Sequence, residues 1–141
     1  KNQAIAYYKR FMEEEVKNIA VKWFSDITSK KYEESFEYMD KEFTLQGKKY
    51  DKTAYMEFVR TVESIYISQE KENDVKTFAV LQDEGSAYEI YARIKASISI
   101  NNGNNESTGN IFHNGVNTLE IMFRYDPDLE RWLIKAVEGT L

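Results

Sequence analysis

The spacing of apolar residues changes near residue 70, and that change limits the folds open to this chain. Over residues 4–27, Ile5, Tyr8, Met12, Val16, Ile19, Trp23 and Ile27 recur every three or four positions. Ala20 and Phe24 widen the stripe, while Glu13, Glu14, Lys17 and Lys22 lie off it. This spacing predicts an amphipathic helix of about 36 Å, long enough to cross a sheet. Residues 31–39, with Tyr32, Phe36 and Met39 in phase, predict a second, shorter helix. Phe43-Thr44-Leu45 reads as a short strand ended by Gly47. Asp51 is then placed to cap a third helix whose apolar face is Tyr55, Met56, Val59, Val62 and Tyr66.

Beyond residue 70 the period becomes two. In residues 86–100, Tyr88, Ile90, Ala92, Ile94, Ala96, Ile98 and Ile100 fall on one face. Glu89, Arg93, Lys95, Ser97 and Ser99 fall on the other, joined by Tyr91. A long, half-buried antiparallel strand is predicted. Residues 101–110 are a polar, turn-rich hairpin tip, 111–125 the returning strand, and 131–137 a last strand after Asp126-Pro127-Asp128. Residues 75–81 pair earlier in the same sheet. Helices precede hairpin-linked strands with no interdomain linker, so residues 1–141 form one α+β domain with N-terminal helices packed against a curved antiparallel sheet.

Composition removes whole classes of chemistry. With no cysteine, disulfides, thiol catalysis and thiolate metal sites are excluded, and a single histidine excludes a His-rich metal centre. No metal or cofactor is expected. A net charge of −5 argues against a nucleic-acid partner, which would need a basic face. No apolar run is long enough for a membrane helix, so membrane attachment would need a segment outside this sequence. The sequence opens on Lys1 rather than Met, as a processed product would, and an extracytoplasmic location is the expectation.

The segment Phe36-Glu37-Tyr38-Met39-Asp40-Lys41-Glu42-Phe43-Thr44-Leu45-Gln46-Gly47, then Tyr55-Met56-Glu57-Phe58-Val59, and the aromatic strand Arg131-Trp132-Leu133-Ile134 carry a resemblance. Together with the element order, they resemble the nuclear transport factor 2-like superfamily, which includes ketosteroid isomerases, SnoaL-like cyclases and non-catalytic domains. The resemblance implies a cone whose curved sheet wraps the long helix and leaves a pocket at its open end. It also implies a homodimer through the sheet face. In the isomerases a catalytic Asp follows the short strand, where this chain has Gln46 and Gly47, neither able to take a proton. Asp40 lies before that strand and reads as a solvated helix end.

The pocket candidates are His113, Asn117, Tyr38, Tyr55, Tyr66 and Tyr88. Unbroken alternation through 111–125 puts His113, Gly115 and Asn117 on the inner face, where a His and an Asn could polarise a ligand. Alternatively, His113-Asn114-Gly115 forms a bulge or turn that resets the parity and leaves His113 at the rim. The tyrosines could line an apolar cavity with their hydroxyls aimed at a polar ligand, or simply be core and sheet-surface aromatics, and a small apolar ligand in the cone is the partner expected. Two functions follow. The first is a non-catalytic ligand- or protein-binding domain, the soluble part of an exported or membrane-anchored bacterial protein. The alternative is a small SnoaL-like cyclase, isomerase or hydrolase working in the cone. A cone filled by its own side chains favours the first.

Overall fold

A computed structural model describes residues 2–68, 74–76, 89–101 and 112–140. Its frame is the hairpin pair β5 (Glu89–Ile100) and β6 (Gly115–Asp126), which stay in register from Glu89↔Arg124 to Ile98↔Gly115. The alternation predicted for β5 is present at every even position, with Ile90, Ala92, Ile94, Ala96, Ile98 and Ile100 all buried. Leu119, Ile121 and Phe123 bury the same face of β6. A one-residue slip would turn both sets to water, so apolar burial fixes the pairing.

β7 (Arg131–Thr140) returns antiparallel on β6, and the ladder shifts between Met122 and Phe123. β1 (Met39–Leu45) then adds to β7 in parallel. The sheet is therefore mixed, where hairpins alone had predicted an antiparallel one. β2 (Lys48–Lys49), β3 (Val62–Ile67) and β4 (Asp74–Lys76) complete it. The order is β2-β1-β7-β6-β5-β3, with β4 also pairing β5.

Helix α1 (Asn2–Thr28) lies across this sheet and buries Val16, Ala20, Trp23, Phe24 and Ile27. It stops in a left-handed turn. Lys30 has φ 65°, its N–H bonds Ile27 O, and Lys31 N–H reaches back to Asp26 O. That is a Schellman ending made with lysine in place of glycine. Helix α2 (Tyr32–Phe36) is shorter than predicted, because the chain is already in β1 by Met39.

Helix α3 (Lys52–Arg60) starts where Asp51 predicts, with the Asp51 carboxylate accepting from Ala54 N–H at 2.8 Å. It buries Tyr55, Met56, Phe58 and Val59. Val62 and Tyr66, assigned to this helix by spacing, instead belong to β3. The run Thr61-Val62-Glu63-Ser64-Ile65-Tyr66-Ile67 is rich in β-branched residues, which lose rotamer freedom in a helix and pack well on a sheet.

Candidate functional site

The interior between the helices and the sheet is built around Tyr55. Its hydroxyl accepts the Trp23 indole N–H at 2.9 Å and lies 2.8 Å from Ser35 Oγ, which itself reaches Tyr32 O at 2.7 Å. These bonds can run in one direction, from indole through phenol and serine to carbonyl, and the polar groups of Trp23, Tyr55 and Ser35 are then all paired. Burial pushes the Tyr55 phenol up to about 12, even though its bonds to Ser35 and Trp23 pull the other way. Aromatic rings fill the surrounding space. Phe36 and Phe43 flank Tyr55 with ring centres 5.3 and 5.7 Å away. The contacts continue from Phe43 to Tyr50 at 6.5 Å, to Phe58 at 6.2 Å and to Phe112 at 5.2 Å. Each lies within the range where aromatic pairs attract.

Among the described candidates, His113 and Asn117 share one turn, while the tyrosines stand apart. Tyr55 is at the centre of the core, with its hydroxyl already bonded on two sides. Tyr38 is half-buried beside β7, where its carbonyl accepts from Ile134 N–H at 2.7 Å. Burial, and then the Asp26 charge, raise its phenol above the ordinary value. Tyr66 is 58% exposed on β3. Tyr88 lies outside the described residues.

His113 and Asn117 follow the second of the two alternatives. β6 begins only at Gly115, whose φ of +104° favours glycine, and His113 is exposed before it. Asn117 is buried and ties the turn together. Its Oδ1 accepts from His113 N–H at 2.8 Å, and its Nδ2 donates to His113 O at 2.7 Å and Gly115 O at 3.0 Å. Asn114 adds a further tie, accepting from Ile100 N–H at 2.7 Å.

The position of the isomerase base is used for structure. Gln46 sits at φ 53° and Gly47 at φ 80°, making the tight turn into β2. The Gln46 amide grips the backbone of Gly139, accepting its N–H at 2.8 Å and donating to its carbonyl at 3.2 Å. This extends the parallel β1–β7 seam by one residue.

Asp40 corrects an expectation. It is a β1 residue only 7% exposed, not a solvated helix end. Arg124 Nε donates to Asp40 Oδ2 at 2.6 Å, and Arg124 Nη2 lies 3.4 Å from both Asp40 Oδ1 and Asp126 Oδ2. The hydrogen bond to Asp40 raises the guanidinium further, against the cost of burial. Asp126 also holds the following turn, accepting from Asp128 and Leu129 N–H at 2.9 and 3.1 Å. The Leu129 bond is the main reason its carboxyl lies below the usual range. Eighty-four positions separate Asp40 from Arg124, so no local motif marks the pair.

The outward sheet face carries a distinct pattern. Tyr91 is opposite Met122, Arg93 opposite Glu120, and Ser97 lies between Tyr66 and Val116. Arg93 and Glu120 form an ion pair at 3.0 Å. Val116 is 64% exposed. Among the described residues, no group of three His, Cys, Asp or Glu side chains could hold a metal, and no helix is long and apolar enough to cross a membrane.

No protein-family model matches the sequence, and no curated protein matches it significantly. A solved structure of a designed nuclear transport factor 2-like protein carrying five substitutions is similar in fold. The match covers 91% of this chain and 99% of that one, with a TM-score of 0.51 and 15% identity. A likeness at that identity speaks to architecture and not to activity. Helices packed on an open, mixed sheet in this order give the chain the nuclear transport factor 2-like α+β cone fold.

Proposed function

We propose that this chain is a non-catalytic binding and assembly domain that works through the outer face of its sheet. The observation that carries the reading is the run of ring contacts around Tyr55. The interior that could have held a ligand is occupied by Phe36, Phe43, Phe58 and Phe112. A SnoaL-like enzyme would need an inward carboxylate or imidazole. The polar groups at this centre are instead Trp23, Tyr55 and Ser35, already bonded to one another.

The partner on the sheet face is a second copy of this chain. Apolar side chains stand at both ends of the face, Tyr91 and Met122 at one and Tyr66 and Val116 at the other, with the Arg93–Glu120 pair between. A two-fold axis through the middle sets each apolar end against the opposite end of the other copy. Such self-complementarity is what an isologous dimer requires. Sedimentation equilibrium of the wild type and of Val116→Lys tests the proposal. A wild-type dimer that becomes monomeric in the variant, with unchanged circular dichroism, is expected. A wild type that stays monomeric at every concentration refutes it.

A further inference from the structure

At the edge of the sheet, the second half of α1 and strand β3 frame a groove of about 380 Å³ that shares Tyr66 with the outer sheet face. That is within the range of small-molecule sites, roughly 300–1,000 Å³. Phe24 and Ile65, both fully buried, form part of its lining, and Ile67 adds to it. Val21 and Tyr66 line it too and are 43% and 58% exposed. Ser25 and Thr28 from α1, and Ser29 just after it, complete the lining.

Two features define what the groove can take. First, among the described residues, none of the eight that line it carries a charge. A charged ligand would lose hydration there and find no ionic partner, whereas an apolar one loses nothing. Second, the site is closed to a pairing strand at its middle. The Thr28 hydroxyl donates to Ile65 O at 2.9 Å and accepts from Ile65 N–H at 3.0 Å. These are the backbone groups that an added strand would use. The hydroxyls left for an occupant are those of Ser25, Ser29 and Tyr66. We infer that this groove binds an uncharged, largely apolar small molecule, its hydrocarbon or aromatic body against Phe24, Ile65 and Ile67 and a neutral polar group toward the serine rim.

The test uses two matched fluorescent probes. N-phenyl-1-naphthylamine is neutral, and 8-anilino-1-naphthalenesulfonate has the same aromatic frame with an added anion. The neutral probe should saturate at one equivalent, and the sulfonated one should bind at least tenfold more weakly. Ser25→Phe, at an exposed helix position, should fill the groove and weaken the neutral probe at least tenfold. Amide chemical shifts in the wild-type protein should move at Val21, Ser25, Ile65 and Ile67, which locates the site without depending on any variant. Val116→Lys should still bind the neutral probe saturably at one equivalent, which separates this inference from the dimer on the sheet face. The inference is overturned by the absence of saturable binding, by equal affinity for the two probes, or by shifts that map elsewhere. It is also overturned if Ser25→Phe leaves the affinity unchanged, or if it changes the molecular mass, since the groove would then be a protein interface.

Discussion

Tyr55→Phe removes one oxygen from the centre of the core and leaves every ring in place. The Trp23 N–H loses its acceptor and Ser35 Oγ loses one of two partners, in a region sealed from water. A buried donor left unpaired costs about 1–3 kcal/mol, and the variant should be destabilised by that amount near neutral pH. The same oxygen makes the penalty depend on pH. Burial raises the phenol from 10.0 in the unfolded chain to about 12 in the folded one. Below about pH 10 both states keep the proton and the full penalty is present. As pH rises toward the folded value, the unfolded chain ionises first, so the wild type loses stability that the phenylalanine variant cannot lose. Near pH 11 the gap between the two proteins should have narrowed by about 1.4 kcal/mol, one unit of proton linkage. Urea unfolding of both proteins near pH 8 and near pH 11 measures the two gaps directly, and the other tyrosines cancel in the difference. A variant as stable as the wild type at the lower pH, or a gap of equal size at both, would refute the view that Tyr55 is buried and bonded.

Other substitutions probe the ties that shape the surface. Arg124→Met leaves the buried Asp40 carboxylate without its cation and should cost about 2–4 kcal/mol in urea unfolding, less than a fully buried pair because a quarter of the Arg124 side chain is exposed. Adding Asp40→Leu to that variant should restore part of the loss, since the unpaired Asp40 charge is then gone and Asp126 keeps its bonds from Asp128 and Leu129 N–H. Asn117→Ala should cost about 1–3 kcal/mol and accelerate hydrogen exchange at the His113 amide, which donates to Asn117. Thr28→Val keeps the shape of the side chain but strips Ile65 of both edge partners, so a lower urea midpoint and concentration-dependent self-association should appear together. Asp126 holds its proton less tightly than an ordinary carboxyl, chiefly through the Leu129 N–H. Its contribution to stability is therefore present above the unfolded value and lost as pH falls through the lower folded value, and Asp126→Asn should flatten that acid limb.

Elements governed by burial on one face could be read directly from the sequence. The even positions of β5 and the stripe Val16, Ala20, Trp23, Phe24 and Ile27 of α1 are buried as their spacing predicts. The Asp51 cap was equally legible, because it depends on a carboxylate and an N–H three residues away. The boundary between α3 and β3 was not. Val59, Val62 and Tyr66 fit a helical step by coincidence, and only pairing with β5 pulls Val62 and Tyr66 into a strand. His113 lay between two readings because a single turn residue reverses the parity of all that precedes it. The buried amide of Asn117 and the positive φ of Gly115 decide that reversal.

The sequence by itself therefore determined the α+β class, the helices ahead of the long strands and the absence of cysteine chemistry, because these follow from local periodicity and from a residue type that is absent. Tertiary structure decided what the polar residues do. Asp40 meets Arg124, Gln46 meets Gly139, and Tyr55 meets Trp23 and Ser35 only after the chain has closed on itself. The groove between α1 and β3 likewise belongs to neither element alone. The physical reason is range: apolar spacing acts through neighbours a few residues apart, whereas a hydrogen-bond partner or a cavity wall can come from anywhere in the chain.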